Sequence, residues 1–179
     1  MRLFYGLSLP DTVRAATAQA SRIAQETIPG RYAPPENHHI TLAFLGEVTE
    51  ERLPEARAVL ARCICAFPAP QVTIGGFSRF GKEHNGILIL EAQSEPALSP
   101  LNAALRQALS DAGLPFDPGP FSPHVTLARH ADTSAGHPEP LPSVAFTAPC
   151  AHLFLSARDA SGVLRYTPLC TESFANQAI

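Results

Sequence analysis

One five-residue stretch is written twice in this chain. His39-Ile40-Thr41-Leu42-Ala43 and His124-Val125-Thr126-Leu127-Ala128 agree at four of five positions, and the fifth is an Ile/Val exchange. The copies stand 85 residues apart, and each follows a strand-like run, a helical pattern and a proline-containing loop. The offsets match as well: 35 residues from Phe4 to His39 and 36 from Leu88 to His124. Self-similarity of this kind marks a duplicated structural unit. The expectation is a single domain over residues 1–179 made of two intertwined lobes, with repeat units at approximately 1–48 and 86–131. A pseudo-twofold axis would set the two His-x-Thr strands facing each other across a cleft.

Strand geometry assigns the side chains of the repeat. Alternate residues point to opposite faces, so His39 and Thr41 project one way while Ile40, Leu42 and Phe44 project the other. His124 and Thr126 stand in the same relation to Val125 and Leu127. Each lobe then presents one imidazole and one hydroxyl to the shared cleft and keeps its apolar face for the core. A single such pair is more simply read as decoration of a solvated strand, but two copies in matching contexts are not.

Outward from the repeat, the pattern reads as alternating strands and three helices. Residues 3–9 form a buried strand. Asp11 is placed to cap a helix from Thr12 to about Gln25, with Val13, Ala16, Ala20 and Ile23 on one face. After the strand from His39 to Leu45, Thr49 is read as the cap of a second helix carrying Val59, Leu60 and Ile64. Gln71–Phe77 and Gly86–Glu91 read as strands joined by a polar loop, Ser78 to Asn85. Ser94-Glu95-Pro96 opens a third helix with Leu98, Leu101, Leu105 and Leu109, ended by Gly113. Strands at Phe121–Arg129, Val144–Thr147, Ala151–Ser156 and Leu164–Leu169 follow, with a surface loop from Ala131 to Pro142. The expected class is α+β: a two-lobed, pseudo-twofold, mostly antiparallel fold lining a central cleft, with helices outside.

Composition narrows the function. With 45% hydrophobic residues in 179, the chain has material for a substantial core and is not a disordered polymer. No apolar run approaches the roughly 18–20 residues that cross a bilayer, and the start of the chain passes straight into a strand pattern without a secretory segment, so a soluble cytoplasmic protein is expected. The net charge is −3, and only Lys82 among the 13 basic residues is a lysine. Proteins that coat a nucleic-acid backbone carry concentrated basic surface, so any nucleic-acid partner here would be engaged through a small piece. The four cysteines, Cys63, Cys65, Cys150 and Cys170, form no C-x-x-C pair. They read as reduced, partly buried thiols, with a zinc site or disulfide as the competing reading.

Two imidazoles and two hydroxyls around one point define a chemistry. Histidine accepts and donates protons near neutral pH, so a pair flanking one reacting atom supplies a general base and a general acid. Threonine hydroxyls beside them can donate to non-bridging phosphoryl oxygens, where charge builds in the transition state. That is a metal-free route to opening a phosphodiester. A two-histidine metal site would want a third ligand, which neither motif supplies. No G-x-S-x-G elbow is present for serine chemistry.

The paired His39-Ile40-Thr41-Leu42 and His124-Val125-Thr126-Leu127 motifs resemble the signature of the 2H phosphoesterase superfamily, and within it the RNA 2′,3′-cyclic phosphodiesterases, or 2′-5′ RNA ligase family. Arg2-Leu3-Phe4 with Leu9-Pro10, Pro35-Glu36-Asn37, Leu42 to Val48, Phe121-Ser122-Pro123-His124 and Arg165-Tyr166-Thr167-Pro168-Leu169 extend the resemblance over nearly the whole chain. The resemblance implies hydrolysis of a 2′,3′-cyclic phosphate at an RNA 3′ end to a 2′-phosphomonoester, with 2′-5′ joining in vitro and no metal, ATP or other cofactor. It implies His39 as proton donor, His124 as proton acceptor, and Thr41 and Thr126 as phosphate-binding hydroxyls. Sequence chemistry by itself does not order the two histidines. Partners would be RNA 3′ ends or small nucleotides bearing a cyclic phosphate, with no obligate protein partner. Alternatives within reach are a related enzyme for ADP-ribose cyclic phosphate or 2′-5′ oligoadenylate, and a nucleotide-binding module without turnover.

Several residues depart from the family pattern or lie beside it. His38 replaces an apolar residue and points away from the cleft by alternation. Tyr32 stands where tryptophan is common, and the loop Ser78 to Asn85 lacks the Pro-Arg often seen there. Phe80, Tyr32 and Tyr5 are candidates for stacking on a base, with core packing the competing fate of Tyr5. Arg129 follows the second motif and suits a phosphate, but strict alternation puts it opposite His124 unless a bulge or strand end intervenes. His84, His130, His137 and His152 are read as surface or structural.

Overall fold

The computed structural model describes residues 1–136, 138–139 and 141–175. Its elements in chain order are β1 (Arg2–Ser8), α1 (Asp11–Gln25), β2 (Arg31–Tyr32), β3 (His39–Glu47), α2 (Leu53–Ile64), β4 (Gln71–Lys82), β5 (Asn85–Glu95), α3 (Ser99–Asp111), β6 (His124–Ala131), β7 (Val144–Thr147), β8 (Cys150–Arg158) and β9 (Leu164–Ser173). The strands form one curled antiparallel sheet in the order β7-β4-β5-β6-β3-β1-β8-β9, with β2 added beside β6. The two strands that carry the repeated motif, β3 and β6, are neighbours at its centre, with β1 on the far side of β3 and β5 on the far side of β6.

All three helices cover one face. Leu3, Tyr5 and Leu7 of β1, Ile40 and Leu42 of β3, and Val125 and Leu127 of β6 share a core with Val13 of α1, Leu60 of α2 and Leu105 of α3. Burial of each large apolar side chain in that layer contributes about 1.5–3 kcal/mol. The opposite face is left open, and the His-x-Thr side chains stand on it. Among the described residues, no helix is long and apolar enough to cross a membrane.

Element boundaries differ from the sequence reading where local rules meet tertiary contacts. Asp11 is the first residue of α1, exposed and paired with Arg14, and makes no cap bond. The buried face of α1 holds Val13, Thr17, Ala20, Ser21 and Ala24, so Ile23 lies at its margin. Thr49 precedes a short 3-10 turn, Glu50–Arg52, and its side chain caps nothing. Ser94 and Glu95 belong to β5, and the third helix begins only at Ser99. The predicted loop from Ser78 to Asn85 is instead the distal half of a long β4–β5 hairpin that turns at Glu83-His84. Its polar residues lie in an edge ribbon, where β4 runs on past its pairing with β7 and is exposed to solvent while β5 stays paired with β6, so alternation gives no clean apolar face. Gly76, at φ 74, supplies the bulge that lets β4 bend into that ribbon. The proline-rich stretch includes His137 and Pro140, which lie outside the described residues.

Two bulges matter more. In β3, Ala43 pairs with Tyr5 and Thr41 with Gly6, leaving Leu42 without a partner in β1. In β6, Thr126 pairs with Ile89 and Ala128 with Leu88, leaving Leu127 without a partner in β5. Beyond each bulge the alternation resets. Phe44, expected on the apolar face, therefore turns toward the cleft, and so does Arg129. The carbonyls released from the ladders are satisfied differently in the two strands. Leu42 accepts from the buried Asn102 side chain of α3 at 2.7 Å, whereas Leu127 accepts from the backbone of Ala33 at 2.8 Å.

Asn102→Ala should therefore destabilise the fold by about 1–3 kcal/mol, the range for stranding a buried polar group. Urea unfolding followed by circular dichroism measures this. A change within 0.5 kcal/mol, roughly the scatter of ordinary surface substitutions, would show that the first bulge does not depend on its side-chain clamp.

Candidate active site

Among the described residues, β3 and β6 are joined by one residue pair, Ile40 with Val125. In an antiparallel register that pair sets His39 across from Thr126 and Thr41 across from His124. The strands then part, and the four side chains line a cleft of about 990 Å³. A second cavity, about 280 Å³ between α1 and the β4–β5 strands, holds no titratable side chain. The chemistry belongs to the larger one.

Both histidines are aimed by the same local bond. His39 Nδ1–H donates to the carbonyl of Asn37, and His124 Nδ1–H donates to the carbonyl of Ser122, each at 2.7 Å. A carbonyl can only accept, so the neutral rings carry their proton on Nδ1 and offer a bare Nε2. At His39 that nitrogen accepts the Thr41 hydroxyl at 3.0 Å. The tight floor under these groups excludes larger side chains: a Cβ on Gly6 would come within 2.9 Å of the Ile40 carbonyl oxygen.

The surroundings of the two rings differ. His39 lies against Phe4 (4.7 Å between centroids) and meets the edge of Tyr166 at 4.9 Å. Burial pushes its pKa down to about 4 against the opposing bond to Asn37, and the charges of His124, His38 and Arg129 add to the fall. His124 meets Phe80 edge-on at 4.9 Å. Its pKa is also lowered, first by burial and further by Arg129.

The other predicted residues divide between cleft and scaffold. Arg129 lines the cleft, and Tyr32 lines it with its hydroxyl tied to the Ile28 carbonyl at 2.9 Å. Burial raises the Tyr32 pKa to about 12. Phe80, on the hairpin, is 36% exposed and reaches the cleft only through its contact with His124. Tyr5 is fully buried and donates to the Ala56 carbonyl at 2.7 Å, so it is a core residue. His38 is buried on the far side against Thr17, its Nδ1 2.9 Å from the hydroxyl, and burial pushes its pKa down to about 4. His84 contacts Asp132, His130 contacts Asn85, and His152 lies between Ser8 and Thr171. The four cysteines are free thiols. Among the described residues, no three His, Cys, Asp or Glu side chains cluster as a metal site.

Tyr166, Phe4 and Phe44, which no motif marks as site residues, also line the cleft. Tyr166 arrives there because the β8–β9 hairpin folds back along β1. Its tip is held by Arg165, which pairs with Asp159 at 2.9 Å and Glu36 at 3.3 Å. Asn37 donates its side chain to the Leu164 carbonyl at 2.7 Å while its own carbonyl holds His39. The available signal was the run Arg165-Tyr166-Thr167, whose significance depends on this long-range contact.

Known proteins resemble this chain in sequence and fold over most of its length. The model of the 2′-5′ RNA ligase superfamily matches residues 3–160. The RNA 2′,3′-cyclic phosphodiesterase of Thermus thermophilus is 37% identical over 136 residues, covering 72% of this chain and 68% of that protein. The RNA 2′,3′-cyclic phosphodiesterase of Escherichia coli K12 is 31% identical over 171 residues, covering 94% and 93%. Among solved structures, E. coli LigT complexed with 3′-AMP superposes with a TM-score of 0.80 at 27% identity, covering 97% of each chain. With its paired His-x-Thr strands facing one cleft and a family match over nearly its full length, the chain belongs to the 2′-5′ RNA ligase superfamily of 2H phosphoesterases.

Proposed function

We propose that this chain is a cyclic phosphodiesterase that hydrolyses the 2′,3′-cyclic phosphate at RNA 3′ ends to a 2′-phosphomonoester without a metal. The observation that carries the reading is the pair of bare Nε2 atoms, each fixed by a backbone carbonyl and each accompanied by a threonine hydroxyl on opposed strands. The names of the relatives from T. thermophilus and E. coli support the substrate class.

In the proposed step His124 Nε2 takes a proton from water as its oxygen attacks phosphorus. The bond from phosphorus to the 3′ oxygen breaks, and His39 Nε2–H gives its proton to that oxygen. The asymmetry of burial supports this order. The more deeply buried His39 is the stronger acid once protonated, and the more accessible His124 can meet water. Thr41, Thr126 and Arg129 are read as donors to the non-bridging oxygens, where charge accumulates. Phe80 and Tyr32 are read as flat surfaces for a base. An RNA 5′-hydroxyl in place of water would give a 2′-5′ linkage by the same displacement. Each repeat unit, residues 1–48 and 86–131, supplies one imidazole, so the two act as one catalytic unit.

Incubation of an oligonucleotide ending in a 2′,3′-cyclic phosphate, in EDTA, should yield a 2′-phosphate. A 3′-phosphate product, or turnover abolished by the chelator, contradicts the reading. His39→Ala and His124→Ala should each lower kcat by roughly 10²–10⁴-fold, the span for a lost acid or base. Thr41→Ala and Thr126→Ala should cost less.

The pH profile tests the electrostatics. The competent free enzyme holds one proton shared between two imidazoles, both with pKa values below the ordinary 6.5. As pH rises through the upper value that proton is lost, and near pH 4 both rings become charged. The kcat/KM profile should therefore peak below pH 6.5 and fall about tenfold per unit on the alkaline side. A profile still rising at pH 8 would show that burial does not control these groups.

A further inference from the structure

We propose that Arg31 forms a second anion subsite, which binds the phosphodiester joining the terminal nucleotide to its 5′ neighbour, so that the cleft selects the end of an RNA chain over a lone nucleotide. The inference rests on the function proposed above and extends it to the substrate beyond its reacting phosphate.

The observation is a pairing that sheet energetics disfavours. Strand β2 consists of two residues, and in its register Arg31 stands directly across from Arg129. Side chains so placed have Cβ atoms about 4.5–5.5 Å apart, and like charges there are destabilising. Among the described residues neither arginine forms an ion pair or donates a side-chain hydrogen bond, whereas Arg14, Arg52 and Arg165 all have carboxylate partners. Both unpaired arginines are exposed and line the cleft. Arg129 lines the same cleft as His39 and His124, and its charge lowers the pKa of both rings, so its guanidinium is the one near the imidazoles. Arg31, on the neighbouring strand where β3 and β6 part, is left for a second anion.

Charge and size agree. Arg2 and Arg158 also line the cleft, against one carboxylate, Glu47, which faces the N-terminal amine at 3.4 Å. A chain of net charge −3 has thus gathered four guanidinium-bearing residues around one opening. At about 990 Å³ the cleft stands at the upper end of the roughly 300–1,000 Å³ typical of small-molecule sites, which leaves room beyond one nucleotide. A planar guanidinium suits a phosphodiester, whose two free oxygens it can take together.

The test compares adenosine 2′,3′-cyclic phosphate with a diadenosine that ends in a 2′,3′-cyclic phosphate and so carries one additional phosphodiester. The ratio of kcat/KM for the dinucleotide to that for the mononucleotide should fall at least tenfold in Arg31→Gln, the scale of a lost charge-assisted hydrogen bond. Arg31→Lys should restore part of it. A dinucleotide with an uncharged methylphosphonate linkage should lose the same factor in the wild type and be insensitive to Arg31→Gln. An unchanged ratio in Arg31→Gln, or a methylphosphonate turned over as well as the diester, overturns the subsite and leaves the function standing. A wild type that turns over neither cyclic phosphate overturns the function and the subsite with it.

Discussion

The contact between Ile40 and Val125 decides where everything in the cleft lies. Two antiparallel strands that could have zipped together along their length are joined, among the described residues, at this single pair. Immediately beyond it each carries a bulge, at Leu42 in β3 and Leu127 in β6, and the strands part. The shared pair fixes register, so each histidine faces the threonine of the other strand. The bulges re-aim the side chains beyond them, bringing Phe44 and Arg129 onto the face that strict alternation denies them. A fully paired ladder would have left no space for a substrate between the imidazoles.

Chemistry follows from how little freedom the rings retain. The residue two before each histidine supplies the carbonyl that takes its Nδ1 proton, so tautomer and direction are set by the approach of the chain to the strand. Burial first, and the charge of Arg129 with it, disfavours the imidazolium at both rings. In the proposed reaction a bound phosphate anion would favour an imidazolium beside it, and would so couple the supply of a proton to binding.

The duplicated motif made the helix-backed sheet, the position of the histidines and the direction of Thr41 and Thr126 readable from sequence, because a two-residue period and a repeat are both local signals. What escaped was set elsewhere. The bulges are invisible to alternation, since Leu42-Ala43 and Leu127-Ala128 are simply apolar pairs, and their released carbonyls are satisfied by Asn102 and Ala33 from other elements. The β4–β5 ribbon read as a loop because β4 there runs on past β7, exposed to solvent, and alternation gives no clean apolar face. Tyr166 gained its place beside His39 only through the ion pairs and the Asn37 bond that hold the β8–β9 hairpin tip.

The central claim is that two Nε2 atoms are kept bare and neutral until a phosphate enters. Heteronuclear NMR of ring-¹⁵N-labelled protein measures it directly, with assignment from His39→Gln and His124→Gln, before and after addition of 2′-AMP. At pH 7 the free protein should show both rings neutral with the proton on Nδ1, and nucleotide binding should move one ring toward the imidazolium. Protonated rings in the free protein, a proton resident on either Nε2, or no change on binding would contradict the account.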